Sequence, residues 1–417
     1  MNLSLQTPKR ILTRPQAAFI RSEAAHPAMV AGLGAGKTHA GIVRLVMKML
    51  RESTINTAFY LPTYDLLKLR AVPGTEEFLS EIGIPFTTNR SDYAIKLKGY
   101  GSMILRSYDR PERIVAYEVA HSIVDELDTL PKEKAAFVWR KISERNRQKC
   151  QGKNTIGQVT TPDQGFSGFT YDRWVKNKKP GYELIKAGTA SNPFLPDGYI
   201  EQIRANYDPL LADMYINGEF VNLKAGKVYY QFDRAKNHSS ATVEDGDILH
   251  IGMDFNVWNM SAVVHVYREG YPVAVDEITD GKDTPQMIRV IKERYQNNRI
   301  IIYPDASGKS ANTTNASSSD LSLLIEAGFK IDAPKANPRV RDRVVSMNAM
   351  FCNADEERRY KVNTDKCKEY AADLEQQIYD KNGEPDKKSG TDHKVDAAGY
   401  FINRKHPARM QPRMTIR

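Results

Sequence analysis

Two sets of residues in this 417-residue chain have the types and spacing that chemistry needs. The first opens on Ala31-Gly32-Leu33-Gly34-Ala35-Gly36-Lys37-Thr38, small residues followed by a cation and a hydroxyl. Small residues let successive backbone N–H groups turn inward onto phosphate oxygens, and a helix N-terminus adds its positive end. In such a loop Gly32, Gly34 and Gly36 form the cradle, Lys37 reaches the β- and γ-phosphates, and Thr38 ligates Mg²⁺. The usual G-x-x-x-x-G-K-[ST] pattern begins with Gly, and here that position is Ala31. The bland alternative is a Gly-rich turn with a solvated Lys. Further along, Ser122-Ile123-Val124 runs into Asp125-Glu126. A strand-end Asp125 suits Mg²⁺, and Glu126 can polarise a water for attack on the γ-phosphate. Thr160-Thr161 ends another apolar run, where small hydroxyls can sense that phosphate, and Gln16 lies upstream where an amide could read an adenine edge. In the charged turn Asp109-Arg110-Pro111-Glu112-Arg113, Arg113 is the first choice and Arg110 the second for a residue stabilising transition-state charge on a neighbouring copy.

The second set is Asp254, Asp305 and Asp396. Three converging carboxylates repel one another unless cations neutralise them, so a two-metal site that cuts a phosphodiester is the physical reason to keep them together. Asp276, Glu277 and Asp392 are reserve ligands, each more readily explained as structural.

Elements of suitable period surround both sets. Ala28-Met29-Val30 reads as a buried strand before the loop, and Ile42, Leu45, Val46 and Met49 recur at helical spacing after it. Apolar runs at 57–61, 102–105, 122–126 and 156–160 read as further strands, which fits a parallel sheet with its site at the strands' carboxyl ends. The segment 165–179 interleaves Phe166, Phe169, Tyr171 and Trp174 with Arg173, Lys176, Lys178 and Lys179, a pattern suited to a nucleic-acid backbone or to an amphipathic surface. From residue 248 the grammar changes. Three antiparallel strands, with Arg268-Glu269-Gly270 as the tight turn between the second and third, lead to a helix, a strand ending at Asp305, two helices with a short strand, and a final helix bearing Asp396. That is the order of a ribonuclease-H-like sheet.

Length predicts two or three domains. We place a P-loop ATPase core at 1–184, a lid at 185–222, a linker at 223–246 and a nuclease domain at 247–417, closing in a basic tail with Arg404, Lys405, Arg409, Arg413 and Arg417. The loop 380–391, rich in Gly, Pro, Lys and Asp, could gate access to the acids. A net charge of +9 favours a polyanionic partner. Cys150, Cys352 and Cys367 lack metal-type spacing and are expected to be reduced thiols. The sequence carries no apolar span and no secretory pattern, so a place in the host cytoplasm, off any membrane, is expected.

Taken together, the phosphate loop, the Asp125-Glu126 strand, Thr160-Thr161-Pro162 and the later Asp254, Pro304-Asp305 and Asp392-His393-Lys394-Val395-Asp396-Ala397 motifs resemble the large terminase subunit of tailed double-stranded DNA bacteriophages. The resemblance covers nearly the whole chain. It implies an α/β protein with an ASCE-type P-loop ATPase domain and small lid subdomain, followed by a ribonuclease-H-like nuclease domain. It implies ATP and Mg²⁺ as cofactors, with Mn²⁺ an alternative in the nuclease. It also implies double-stranded DNA, a small terminase subunit and a portal protein as partners, in a homo-pentamer on the procapsid. By the same resemblance Thr160 and Thr161 are the coupling motif, Gln16 the adenine reader, and Asn192-Pro193 with Gly218-Glu219-Phe220 the lid. Two other readings stay in view: a helicase-like ATPase whose second half only binds nucleic acid, and a non-enzymatic DNA-binding protein with decayed sites.

Overall fold

A computed structural model of the chain describes residues 12–222, 226–255, 260–306, 320–380, 383–387 and 390–408. It forms two compact units, Met1–Ile200 with Asp213–Leu223, and Glu201–Ala212 with Lys224–Arg417.

The first unit is built on eight strands: β1 (His26–Ala31), β2 (Thr57–Leu61), β3 (Phe86–Asn89), β4 (Ala94–Leu97), β5 (Ser102–Ser107), β6 (His121–Asp125), β7 (Thr155–Thr160) and β8 (Tyr182–Ala187). Their order in the sheet is β3-β4-β5-β2-β6-β7-β1-β8. All neighbours from β5 across to β8 pair in parallel, whereas β4 pairs antiparallel with both β3 and β5. Strand alternation sends neighbouring side chains to opposite faces. Thus Met29, Phe59, Ile123 and Val159 join one apolar cluster with the helix Lys37–Arg51, while Ala28, Tyr60, Val124 and Ile156 join another with Trp139 and Trp174. β7 lies between β1 and β6, so the phosphate loop and the Asp125 strand end are separated by the strand that ends in Thr160.

Three features of this unit differ from expectation. The hairpin β3–β4 and the edge strand β8 are additional, and β8 crosses the expected boundary at 184/185 because it pairs with β1 along its whole length. The lid segment is divided, since Glu201–Ala212 clusters with the second unit and Asp213–Leu223 returns to the first. Finally, Phe169 and Trp174 are core, with the Trp174 indole N–H donating to His26 O at 2.9 Å, so those two aromatics are withdrawn from any nucleic-acid surface. Lys176, Lys178 and Lys179 stay exposed.

The second unit carries β9 (Ile248–Asp254), β10 (Met260–Arg268), β11 (Tyr271–Gly281), β12 (Arg299–Pro304), β13 (Lys330–Ile331) and β14 (Lys361–Val362), ordered β13-β12-β9-β10-β11-β14. β9, β10 and β11 are antiparallel neighbours, and β12 joins β9 in parallel. Glu269 and Gly270 both adopt positive φ in the β10–β11 turn, as a two-residue hairpin of matching twist requires. Among the described residues, three helices and two short strands, rather than two helices and one strand, stand between β12 and the last helix, His393–Lys405. The last helix lies flat on β9. A Cβ at Gly252 would sit 2.0 Å from Ala397 O, so a glycine is what allows this approach.

Cys150, Cys352 and Cys367 are all free thiols. Among the described residues no helix is long and apolar enough to cross a membrane.

Candidate functional site

The phosphate loop begins where β1 stops pairing. Ala31 is still in the ladder, opposite Ala187, and the loop proper is Gly32 to Gly36. An alanine is therefore accommodated at the first motif position, because only Gly34 and Gly36 take positive φ, at 75° and 80°. Leu33 N–H donates to Tyr215 O at 2.7 Å, Thr189 Oγ1 to Leu33 O at 2.8 Å, and Asn192 Nδ2 to Gly34 O at 2.6 Å. The loop is thus braced from outside by residues of the stretch 185–222, the segment expected to form a lid. Lys37, 6% exposed, donates to Ala31 O at 3.2 Å and Gly32 O at 2.9 Å.

Thr38 Oγ1 donates to Asp125 Oδ2 at 2.6 Å. Asp125 is fully buried, and its other oxygen, Oδ1, has no hydrogen-bond partner. Burial and then the charge of Glu126 drive its pKa up, against the Thr38 bond, Lys37 and Arg70. A buried carboxylate with an open oxygen beside a hydroxyl is a donor set that fits a Mg²⁺ ion. Glu126 follows in the left-handed region, φ 56°, with its N–H on Val159 O at 2.9 Å. A non-glycine residue held there stores about 1–3 kcal/mol of strain, a feature that concentrates at working sites. Burial raises the Glu126 pKa too, while Lys37 and the Thr161 N–H draw it down. Thr160 and Thr161 are both buried beside it. Thr160 Oγ1 bonds Thr161 O and the Asp128 N–H, and Thr161 Oγ1 has no hydrogen-bond partner.

Gln16 reaches the phosphate loop itself. It is 6% exposed, and both ends of its amide are engaged. Oε1 accepts from Thr13 N–H at 2.9 Å, closing the capping box of helix Arg14–Arg21, and Nε2 donates to Gly36 O at 3.1 Å. Each end keeps a second position, one N–H and one lone pair, with which the amide could still meet an adenine edge. Arg113 and Arg110 are exposed on the turn that includes the 3-10 segment Pro111–Arg113. Sequence reasoning missed Arg70, whose charge acts on both Asp125 and Glu126, and Asp163, which accepts from Tyr215 OH at 3.1 Å and acts on Glu126. Neither sits in a motif that would have flagged it.

In the second unit, Asp254 ends β9, and Asp305 follows β12 with its N–H on Met253 O at 3.0 Å. The Gly252–Ala397 contact sets Asp396 against the same strand end. Burial and the charges of all three acids raise the Tyr400 pKa against Arg343, so the three lie within electrostatic reach of one phenol. Each carboxylate is held by a different group. Asp254 Oδ2 is 3.2 Å from His393 Nδ1, Asp305 accepts from Asn337 Nδ2, and Asp396 Oδ2 accepts from Arg343 Nη2 at 3.0 Å. Burial pushes the Asp396 pKa up to about 6, with Arg343 opposing. Among the described residues no group of three His, Cys, Asp or Glu is arranged to hold a metal ion, in keeping with these separate engagements. Carboxylate oxygens are nevertheless the donor type that suits Mg²⁺ or Mn²⁺.

The reserve acids are used elsewhere. Asp276 accepts from Tyr295 OH at 2.6 Å, and Glu277 accepts the Glu369 and Tyr370 N–H groups at 3.0 and 2.7 Å, both on β11, which β10 separates from β9. Asp392 precedes the last helix, with Oδ1 3.8 Å from His393 Nε2. The loop at 380–391 is described only in part, and Arg409, Arg413 and Arg417 lie outside the described residues.

Residues 28–236 match the family model for the terminase large subunit, T4likevirus-type, N-terminal, and residues 251–405 match that for the terminase RNaseH-like domain. The chain belongs to the terminase large-subunit family. Its fold is shared with the large terminase from a thermophilic bacteriophage, at 16% identity and a TM-score of 0.67, over 94% of this chain and 99% of that one. The same phage protein in complex with ATP-gamma-S aligns at 17% identity and a TM-score of 0.64, over 94% and 98%. At such identity these likenesses speak for the fold alone. No curated protein sequence matches the chain. As a terminase large subunit it joins an ASCE-type P-loop ATPase fold to an RNase H-like nuclease fold in one polypeptide.

Proposed function

We propose that this large subunit is the ATP-driven motor that moves double-stranded viral DNA into a procapsid and the metal-dependent endonuclease that cuts the genome from its concatemer. The observation that carries the motor half is the 2.6 Å bond between Thr38 and the buried Asp125, with Glu126 beside it at the end of β6. Gly32, Gly34 and Gly36 wrap the phosphates, and Lys37 leaves its own loop carbonyls for the β- and γ-phosphates. Mg²⁺ held by Thr38 and Asp125 would neutralise charge on the transferred phosphoryl group. Glu126 orients and deprotonates the attacking water, its raised pKa bringing it nearer the working pH. Thr160 and Thr161, buried between Glu126 and Asp128, carry the change in phosphate state into β7. Gln16 reads adenine or fixes Gly36, and Arg113, with Arg110 as second choice, reaches a neighbouring copy's nucleotide. Either use of Arg requires a ring, which we take to be a pentamer on the portal, with the small subunit choosing the DNA in the host cytoplasm.

For cutting, Asp254, Asp305 and Asp396 would hold divalent cations, Mg²⁺ or Mn²⁺, that supply an activated water and stabilise the leaving oxygen of a phosphodiester. His393 and Asn337 orient two of those acids. The test is uptake of duplex DNA into procapsids by the purified chain, small subunit and ATP. Protection of full-length duplex supports the motor. ATP-driven strand separation with no uptake would replace it with the helicase-like reading, and absence of both ATPase and cutting would favour a decayed DNA-binding protein.

A further inference from the structure

The three acids of the second unit are not held alike. Asn337 offers Asp305 a neutral amide and His393 offers Asp254 an imidazole, but Arg343 sets a permanent cation on Asp396. Arg343 stands on the helix Val340–Phe351, is 5% exposed, and lies with its guanidinium carbon 4.4 Å over the Tyr400 ring. Its stem runs beside Gly399, where an added Cβ would be 3.6 Å from Arg343 Cβ and Cδ. Nη2 holds Asp396, while Nε and Nη1 are buried without a hydrogen-bond partner. Of the other charges acting on Asp396, Asp254 and Asp392 oppose its negative charge and Lys387 supports it, while Arg343 is the cation in direct contact with it.

We propose that Arg343 is the resident counter-ion of Asp396 and competes with a divalent cation for that carboxylate, so that the nuclease acids take metal only when the Arg343–Asp396 pair opens. This rests on the metal-binding reading of Asp254, Asp305 and Asp396. A guanidinium and a divalent ion on one half-buried carboxylate repel each other, since the buried Arg343 side of the pair is little screened by water. The guanidinium is held where it stands by Asp396 and by Tyr400, so a divalent ion must displace it and does not fill an empty place. Arg343 is thus a positioning residue. It parks Asp396 in a metal-free arrangement and sets a threshold for cutting that the Thr38–Asp125 oxygens, with an open Oδ1, do not share.

The test is Mn²⁺ binding to the full chain without nucleotide, followed by electron paramagnetic resonance, for the parent, Arg343→Met, Arg343→Lys and Asp396→Asn. Removing the competing charge in Arg343→Met is expected to tighten Mn²⁺ binding by about tenfold. Arg343→Lys, which keeps the charge, is expected to stay within about threefold of the parent. Asp396→Asn is expected to lose the tighter binding. If Asp396→Asn binds Mn²⁺ as the parent does, the metal reading itself fails. If Asp396→Asn binds less and Arg343→Met binds no better than the parent, the metal reading survives and the counter-ion role is overturned. Equal tightening in Arg343→Lys and Arg343→Met would assign the effect to packing, and also overturns it. Should Arg343→Met not fold, the guanidinium NMR resonance of Arg343 in the parent chain, titrated with Ca²⁺, decides instead: an unmoved resonance at saturating ion rules out displacement.

Discussion

The two sites assemble their acids in opposite ways. In the first unit Asp125 and Glu126 are consecutive at one strand end, and Asp125 meets Thr38 directly with an oxygen left open. In the second, Asp254, Asp305 and Asp396 come from three separate elements, and each is engaged by a side chain from elsewhere in the unit. The difference teaches that the phosphate-loop site leaves an acid oxygen open beside a hydroxyl, whereas the three separate acids are each held by a stand-in partner in the absence of cations. Like charges that tertiary packing forces together must be balanced by something.

Four experiments sharpen or break that contrast. The largest effect is expected from Arg113→Ala, which should lower ATPase turnover of the assembled ring by about 10³–10⁵ while leaving the isolated chain's nucleotide affinity alone. Loss on Arg110→Ala instead would move the role by three residues. Glu126→Gln should lower ATP hydrolysis by about 10²–10⁴ and leave plasmid cutting at its parent rate. Retained turnover would remove Glu126 as the base. Conversely, Asp254→Asn or Asp305→Asn should slow plasmid cutting in Mn²⁺ by about 10²–10³ and spare ATPase. A matching fall in both activities would mean that the sites are not separable.

The smallest effect concerns pH. Burial raises Asp128 from 3.8 to about 7, against hydrogen bonds from Thr170. Between those values the folded state binds more protons than the unfolded one, so stability falls as pH rises through that window. The thermal midpoint of the chain is expected to be lower at pH 8 than at pH 5. Asp128→Asn, which can still accept from Thr170, should flatten that slope, and an unchanged slope would show that other buried acids carry it.

Much of this was legible before any coordinates. The run 57–61 is β2, and the turn at Glu269-Gly270 has the positive φ pair its composition demands. Those signals are local, because a buried central strand must be apolar throughout and a two-residue hairpin must reverse the chain with left-handed residues. The edge strands were not legible. β8 reads Tyr-Glu-Leu-Ile-Lys-Ala and β3 Phe-Thr-Thr-Asn, since an edge strand is half in water and keeps polar residues. Trp174 was ambiguous for the converse reason: aromatic residues among lysines suit a nucleic acid and a core equally until packing chooses.

What the amino-acid order determined alone was the chemistry on offer: a glycine cradle with Lys37 and Thr38, an Asp-Glu strand end, and three aspartates placed after the right elements. What the tertiary structure decided was who touches whom. It tied both ends of the Gln16 amide, brought Arg70 and Asp163 to Glu126, and set Arg343, Asn337 and His393 on the three acids. Periodicity and turn chemistry act over a few residues and leave a trace in the sequence. Charge pairing and burial act across the fold between residues far apart in the chain, and leave none until the backbone has closed around them.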